Sequence, residues 1–309
     1  MFRILVLGSG AVSGLYAGKL AQAGCSLDFW VRKNATDLKQ NGFQISSQPW
    51  GNFEYFPDDV FETLPESLDG YDLVLNGLKC LPEIGLESIL GKAIPKHLPI
   101  LLLQNGIGIE EPVSALYPSN EILSGLAFVC ANRLSNGKIL HLDYGELTLG
   151  SENRSPSKVC ETLVRLFQSV GVPAQLTDSI RQARWKKLMW NAPFNPISVL
   201  SAGKNTSEIL ALDESRFLVI EIMKEVQILS RLDGAEVPES QIDTFITMTE
   251  TMKPYKTSML LDFEAGRPME LDAILGNALK IAKRYEVETP YIKTLYGILK
   301  LMNGSKRVE

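Results

Sequence analysis

The chain opens on an aliphatic run, Ile4-Leu5-Val6-Leu7, that stops at Gly8. A continuous apolar run bounded by glycine is the pattern of a strand buried on both faces. An apolar helix runs from there to Ala23, and the turn Ala23-Gly24-Cys25 leads to a second strand, Ser26 to Val31. Between Gly42 and Phe56 aromatics alternate with polar residues and glycine, which predicts an inserted pair of short strands or a loop. Asp72 to Asn76 and Leu98 to Leu103 read as buried parallel strands separated by a helical stretch, Glu83 to Lys92, and Ile122 to Ala131 as another strand. Ser135-Asn136-Gly137-Lys138 is a hairpin turn, because Asn-Gly readily takes positive φ, and Ile139 to Leu142 and Glu146 to Leu149 continue as an antiparallel addition.

The period then changes. Ser157 to Val170 is amphipathic at helical spacing, and Ala174 to Thr177 is a last short strand. From Asp178, an N-cap residue type, helical spacing takes over, with segments at Ser179 to Trp190, Asp213 to Leu232, Glu239 to Thr249, Leu271 to Tyr285 and Pro290 to Met302. Alternating strands and helices followed by helices alone predict an α/β domain over residues 1–178 and an all-α domain over 179–309.

The 309 residues are enough for two cores, and a chain 45% hydrophobic and 22% charged is an ordinary soluble composition. A net charge of −5 argues against a nucleic-acid partner, since binding a phosphate backbone needs concentrated positive charge. No apolar run reaches membrane-spanning length; Ile100 to Leu103 is a buried strand by its length, and Arg3 with the four aliphatics after it is too short for a secretory signal. Cys25, Cys80, Cys130 and Cys160 have no paired metal spacing, so no metal is expected and the four read as reduced core residues of a cytoplasmic protein.

Gly8-Ser9-Gly10-Ala11-Val12-Ser13-Gly14 lies where a buried strand meets a helix, the arrangement that binds a dinucleotide pyrophosphate. Gly8 allows the sharp turn, Gly10 lets phosphate approach the backbone, and the helix from Ala11 offers free N–H groups and the positive end of its dipole. Ser13 stands where a third glycine usually lets helix and strand pack closely, which predicts a small shift of the helix. The second strand ends Phe29-Trp30-Val31-Arg32-Lys33, and two cations at that tip suit the 2′-phosphate of NADPH, whereas Asp28, the carboxylate that NADH would require, lies inside the strand. A flavin dinucleotide would use the same turn, but no further flavin signal follows.

His97 and His141 both fall at structural positions, so a proton donor for hydride chemistry must be sought elsewhere. Lys187 and Asn191 share a helix face among Trp185, Leu188, Met189, Trp190 and Phe194. Burial there would lower the lysine pKa and make it a better acid, the alternative being that Lys187 snorkels to solvent and the asparagines cap helix ends; Lys186 points to solvent. Lys79 and Gln104-Asn105-Gly106 follow strands whose carboxyl ends are the ligand side of such sheets, though Asn105-Gly106 could equally be a turn. Glu270 begins an apolar helix and Ser258 could be a cap.

Taken together, the Gly8-Ser9-Gly10 turn, Arg32, Leu78-Lys79, Gln104-Asn105-Gly106, Trp185 to Leu188 with Asn191 and Asn195-Pro196, Ser258 to Asp262, and Glu270 twelve residues beyond Ser258 resemble the ketopantoate reductase family. The resemblance covers the whole chain. It implies a Rossmann-type first domain and a helical second domain like that of 6-phosphogluconate dehydrogenases. It also implies reduction of ketopantoate to pantoate, on the route to pantothenate and coenzyme A. By the resemblance Lys187 is the general acid, and Gly8, Ser9, Gly10, Ala11, Val12 and Arg32 bind NADPH. Lys79 and Asn105 lie near nicotinamide and ketone, and Asn105, Asn191, Asn195 and Ser258 hold the substrate. Glu270 accepts a substrate hydroxyl and pairs with Lys187 in the empty site. Pro193 departs from the pattern and should kink the helix between Asn191 and Asn195.

The alternatives are an NADPH-dependent reductase of another 2-oxo acid and a non-catalytic NADPH-binding sensor. The expected partner is a small-molecule 2-oxo acid, with neither nucleic acid nor membrane. The sequence leaves the oligomeric state open; long apolar helix faces such as Asp213 to Leu232 are of the kind that pair in homodimers. Arg32→Glu is expected to raise the KM for NADPH far more than that for NADH, and equal effects in parallel kinetics would remove the 2′-phosphate assignment.

Overall fold

Strand β1 (Arg3–Leu7) is buried from Ile4 onward and pairs in parallel on both sides, with β2 (Ser26–Trp30) and β6 (Leu73–Asn76), which explains its unbroken aliphatic run. The computed structural model describes residues 1–92, 94–134, 137–151 and 157–304. They divide into two compact units. One comprises Met1–Lys79, Glu83–Gln104 and Ile109–Ile180, and the other Cys80–Pro82, Asn105–Gly108 and Arg181–Glu309. Ser135 and Asn136 of the expected hairpin turn, and the end of the tail beyond residue 304, lie outside the described residues.

In the first unit β1 leads into α1 (Ala11–Gln22), and β2 into α2 (Ala35–Asn41). The strands β3 (Phe43–Ser47), β4 (Phe53–Tyr55) and β5 (Asp59–Phe61) follow, then β6, the single-turn α3 (Glu87–Leu90), β7 (Ile100–Leu102) and α4 (Glu110–Leu116). The unit continues with β8 (Ile122–Arg133), β9 (Ile139–Ser151), α5 (Lys158–Ser169) and β10 (Ala174–Leu176). One sheet runs in the order β4-β3-β9-β8-β7-β6-β1-β2-β5, with β10 paired to β9.

The two ends of that sheet meet through side chains. Phe29 of β2 and Phe43 of β3 have ring centroids 5.0 Å apart, and Phe43 stacks on Tyr55 of β4 at 4.9 Å. The sheet is therefore curled, and α1 lies in the hollow. Every residue from Ser13 to Leu20 is buried, as expected of a mostly apolar helix, and the one cation among them, Lys19, donates to Gln22 Oε1 at 2.8 Å. Tyr55 Oη donates to the carbonyl of Gly14 at 2.8 Å and Tyr16 Oη to that of Gly145 at 3.1 Å.

Several expectations need correction. The stretch Glu83 to Lys92 is helical only over Glu87–Leu90, because Pro82, Gly85 and a left-handed Gly91 restrict it. The two pieces expected around Asp143-Tyr144-Gly145 are one strand, β9, in which Tyr144 and Gly145 take positive φ opposite a register shift, a bulge and not a break. Of the cysteines, Cys130 and Cys160 are buried but Cys25 and Cys80 only half-buried, and no disulfide joins them.

The second unit contains α6 (Ile180–Leu200), α7 (Thr206–Leu210), α8 (Asp213–Leu232), α9 (Ser240–Thr251) and α10 (Ser258–Glu264). A π-helical turn at Asp272–Gly276 follows, then α11 (Asn277–Arg284) and α12 (Pro290–Gly304). Its core gathers Trp185, Leu188, Met189 and Phe194 of α6 with Val219, Ile222, Met223 and Val226 of α8. The indole N–H groups of α6 are satisfied: Trp185 donates to Asp233 Oδ2 at 2.8 Å and Trp190 to Thr249 Oγ1 at 3.0 Å. Because α6 begins at Ile180, the residue at its cap position is Ser179 and not Asp178. Helical conformation persists through both Pro193 and Pro196 to Leu200. The single helix expected over Leu271 to Tyr285 begins with the π turn. No helix of the described residues is long and apolar enough to cross a membrane.

The serine that replaces a glycine in α1 is accommodated from the opposite side. A Cβ added to Gly77, just after β6, would lie 2.5 Å from Ser13 Cβ and 3.3 Å from its Cα. Atoms so close to the backbone cannot rotate away. Gly77→Ala is expected to cost about 1–3 kcal/mol, read from the denaturation midpoint. Ser13→Gly in the same chain should recover most of that loss, and additive losses would show that the two positions do not share this contact.

Candidate functional site

The dinucleotide elements of the first unit are assembled as a cradle. Gly8 has φ +88°, its N–H donates to the carbonyl of Trp30 at 2.9 Å, and a Cβ there would lie 2.8 Å from Leu78 Cδ2. Only glycine suits that position. Gly10 is the N-cap residue of α1, with no side-chain cap, and the first turn carries no carboxylate. Ser9 lies in the turn, and the helix-initiating amides of Ala11 and Val12 have no partner within the helix, so they present N–H groups and the positive dipole end to an anion. Arg32 is exposed two residues beyond β2. The glycine turn and the uncapped start of α1 fit the pyrophosphate of a dinucleotide.

Lys79 is half-buried after β6. The loop leading to it is held by a pair of amides: Asn76 Nδ2 donates to Gln104 Oε1 at 2.9 Å, Gln104 Nε2 to the carbonyl of Leu78 at 2.9 Å, and Leu78 N–H to Asn76 Oδ1 at 3.2 Å. Asn76 drew attention in the sequence only as a strand residue.

The second unit brings together Lys187, Asn105 and Glu270. Lys187 Nζ donates to Asn105 Oδ1 at 2.6 Å. Lys187 is half-buried, so its end is crowded and still reachable. Desolvation and then the nearby Arg184 charge lower its pKa to about 7, against a smaller upward pull from Glu270. Glu270 Oε1 accepts the backbone N–H of Cys80 at 2.8 Å. Asn191 and Asn195 are buried on the stripe of α6 that carries Arg184 and Lys187. Ser258 is exposed at the start of α10 and is not the cap; Thr257 is, its hydroxyl accepting from the N–H of Leu260 at 3.2 Å. Lys186 is exposed. His141 is buried, hydrogen-bonded to Ser47 at 2.9 Å and packed on Trp50, a structural setting.

Asn105 is placed by a loop with little freedom. Ile107 N–H donates to the carbonyl of Ala273 at 3.2 Å, Asn277 Nδ2 to the carbonyl of Ile107 at 2.7 Å, and Arg184 Nη1 to that of Gly106 at 3.1 Å. Sequence reasoning passed over Arg184 and Asn277. Arg184 carried a usable signal, lying three residues before Lys187 on the same helical face.

Residues 4–154 match the family model described as Ketopantoate reductase PanE/ApbA, and residues 179–303 the model of the C terminus of the same family. A protein of Nostoc sp. named 2-dehydropantoate 2-reductase is 35% identical over 98% of this chain and 95% of its own length. The crystal structure of 2-dehydropantoate 2-reductase from Methylococcus capsulatus superimposes with a TM-score of 0.92 at 36% identity, covering 100% of this chain and 99% of that one. That of the Geobacter metallireducens enzyme of the same name gives 0.90 at 32% identity, over 97% and 100%.

Gly106 is the tightest point of the loop: φ is +101°, and a Cβ would lie 2.4 Å from the carbonyl oxygen of Ala273. Gly106→Ala is expected to displace Asn105 from Lys187 and to lower the melting temperature by several degrees, roughly the effect of a 1–3 kcal/mol overpacking loss. An unchanged melting temperature and an unchanged Lys187 titration would show that the loop yields without consequence.

Proposed function

The chain belongs to the ketopantoate reductase family, and from that premise we propose that it reduces 2-dehydropantoate to pantoate with NADPH, on the route to pantothenate. Its similarity to the Nostoc, Methylococcus and Geobacter proteins, each above 30% identity over nearly the whole chain, supports the substrate. The observation that carries the chemistry is the Lys187 ammonium, crowded enough for a pKa of about 7 and oriented by Asn105 at 2.6 Å.

NADPH, when bound, supplies the hydride that adds to the ketone carbon. Lys187 Nζ gives its proton to the ketone oxygen, which becomes the new hydroxyl, and the amine is left neutral. A pKa near the working pH suits this transfer, because a substantial fraction of the acid is protonated and it still gives up its proton readily. Asn191, Asn195 and Ser258 hold the carboxylate and hydroxyl groups of the substrate, and Glu270 accepts from a hydroxyl donor. Gly8 to Val12 with Arg32 and Lys79 hold the cofactor. A second copy of the chain as a homodimeric partner and a cytoplasmic location belong to the same reading.

Purified protein is tested by following NADPH absorbance with 2-dehydropantoate beside other 2-oxo acids. Selective oxidation with 2-dehydropantoate supports the reading. Turnover only with another 2-oxo acid replaces the substrate, and none with any returns the protein to a binding role. Lys187→Ala should lower kcat by roughly 10²–10⁴-fold. In the unsubstituted protein kcat/KM for reduction should fall as pH rises through about 7, where Lys187 loses its proton, while oxidation of pantoate should rise over the same range. A flat profile together with an active Lys187→Ala variant would sink the assignment.

A further inference from the structure

Arg133 closes β8 and takes no part in the assignments above. Its Nη1 donates to the backbone carbonyl of Ser9 and, at 2.7 Å, to Ser9 Oγ, so the guanidinium lies over the middle of the glycine turn. The strand end that carries it is fixed against the start of α1. Arg133 pairs in register with Ile139 of β9, and Ile139 Cδ1 lies only 2.5 Å from where a Cβ on Gly14 would sit.

The same guanidinium is within electrostatic reach of Asp37, in the first turn of α2, and of Tyr55. Asn34, the N-cap residue of α2, follows Arg32-Lys33 directly. Arg133 therefore stands between the turn after β1 and the turn after β2. In a doubly wound fold the first receives the pyrophosphate and the second the adenosine ribose. The helix-start amides of α1 would meet the pyrophosphate, while Arg133 pairs with Ile139, Ile139 with Ile45 of β3, and Phe43 of β3 meets Phe29 of β2 at 5.0 Å, which brings the end of β8 toward the end of β2.

We propose that Arg133 binds the 2′-phosphate of the dinucleotide as the second arginine of a site shared with Arg32, with Ser9 holding the guanidinium in place in the free protein. A phosphate is a charged acceptor and can take two parallel N–H bonds from a guanidinium, so it displaces the neutral oxygens of Ser9. Arg133 is exposed at the end of β8, so a phosphate can reach its guanidinium. The inference rests on the NADPH reading above.

The test is equilibrium binding by calorimetry, with NADPH, NADH and 2′,5′-ADP, on the unsubstituted protein, Arg133→Met and Arg133→Lys. Arg133→Met should weaken NADPH and 2′,5′-ADP by roughly 10- to 100-fold, the loss of a charged hydrogen-bonded contact, and NADH by less than about threefold. Arg133→Lys keeps the charge without the paired geometry and should fall between; it also serves if Arg133→Met fails to fold. Equal weakening of NADPH and NADH would place Arg133 on the pyrophosphate and overturn the proposal, as would no change in any ligand. A preference of the unsubstituted protein for NADH overturns the NADPH reading itself, and that result appears before any variant is made.

Discussion

The arrangement of Lys187 in the second unit depends on one hydrogen bond, from its ammonium to the side-chain carbonyl of Asn105. A lysine crowded by apolar neighbours would otherwise rotate toward water, since its stem is long and its head strongly hydrated. The bond holds because Asn105 belongs to a loop that cannot drift. The π turn at Asp272–Gly276 helps, because its carbonyl at Ala273 accepts the Ile107 amide while Asn277 and Arg184 hold the two neighbouring carbonyls. An extra residue inserted in a helix costs regular hydrogen bonding, and such turns recur at functional sites. Here the irregular turn and the loop it contacts together aim a single acceptor at a single donor.

In the first unit the governing constraint is the burial of α1 on all sides. A helix inside a curled sheet needs close approach, and small residues supply it: Gly14 lies against Phe43 and Ile139, Gly18 against Phe53 and Tyr55, and Ser13 against Gly77. Close approach on every side fixes the position of the helix N-terminus relative to the turn at Gly8. The geometry of the glycine turn is thus set by packing some distance from it, and Ser9, Gly10, Ala11 and Val12 are not buried in the core.

Much of this could be read in the sequence because periodicity and glycine placement are local signals. The aliphatic run of β1, the turn at Gly8 and the long helices of the second half stand out in any window of about a dozen residues. What stayed hidden was non-local. β5 is three residues long and exists because β2 offers an edge, and α3 shrinks between flanking glycines and a proline. The partnership of Ser13 with Gly77 joins positions that no spacing rule connects. Lys187, Asn191 and Asn195 could be found from their shared helix face. Arg184, Asn277 and Arg133 matter through what they touch, and those contacts join residues 78, 170 and 124 positions apart in the chain.

The balance of charge around Lys187 follows from the same placement. A lysine next to a carboxylate alone would be held charged and would be a poor acid. Here desolvation and Arg184 outweigh Glu270. Glu270 also accepts the Cys80 amide, so part of its hydrogen-bonding capacity is directed to the backbone. By binding the carbonyl of Gly106, Arg184 exerts its repulsion from a fixed point. The arginine that steadies the loop beneath Asn105 therefore also adds to the larger effect of desolvation in lowering the Lys187 pKa. Arg184 thus touches both the placement of Asn105 and the charge balance at Lys187, and a change at that position alters both together.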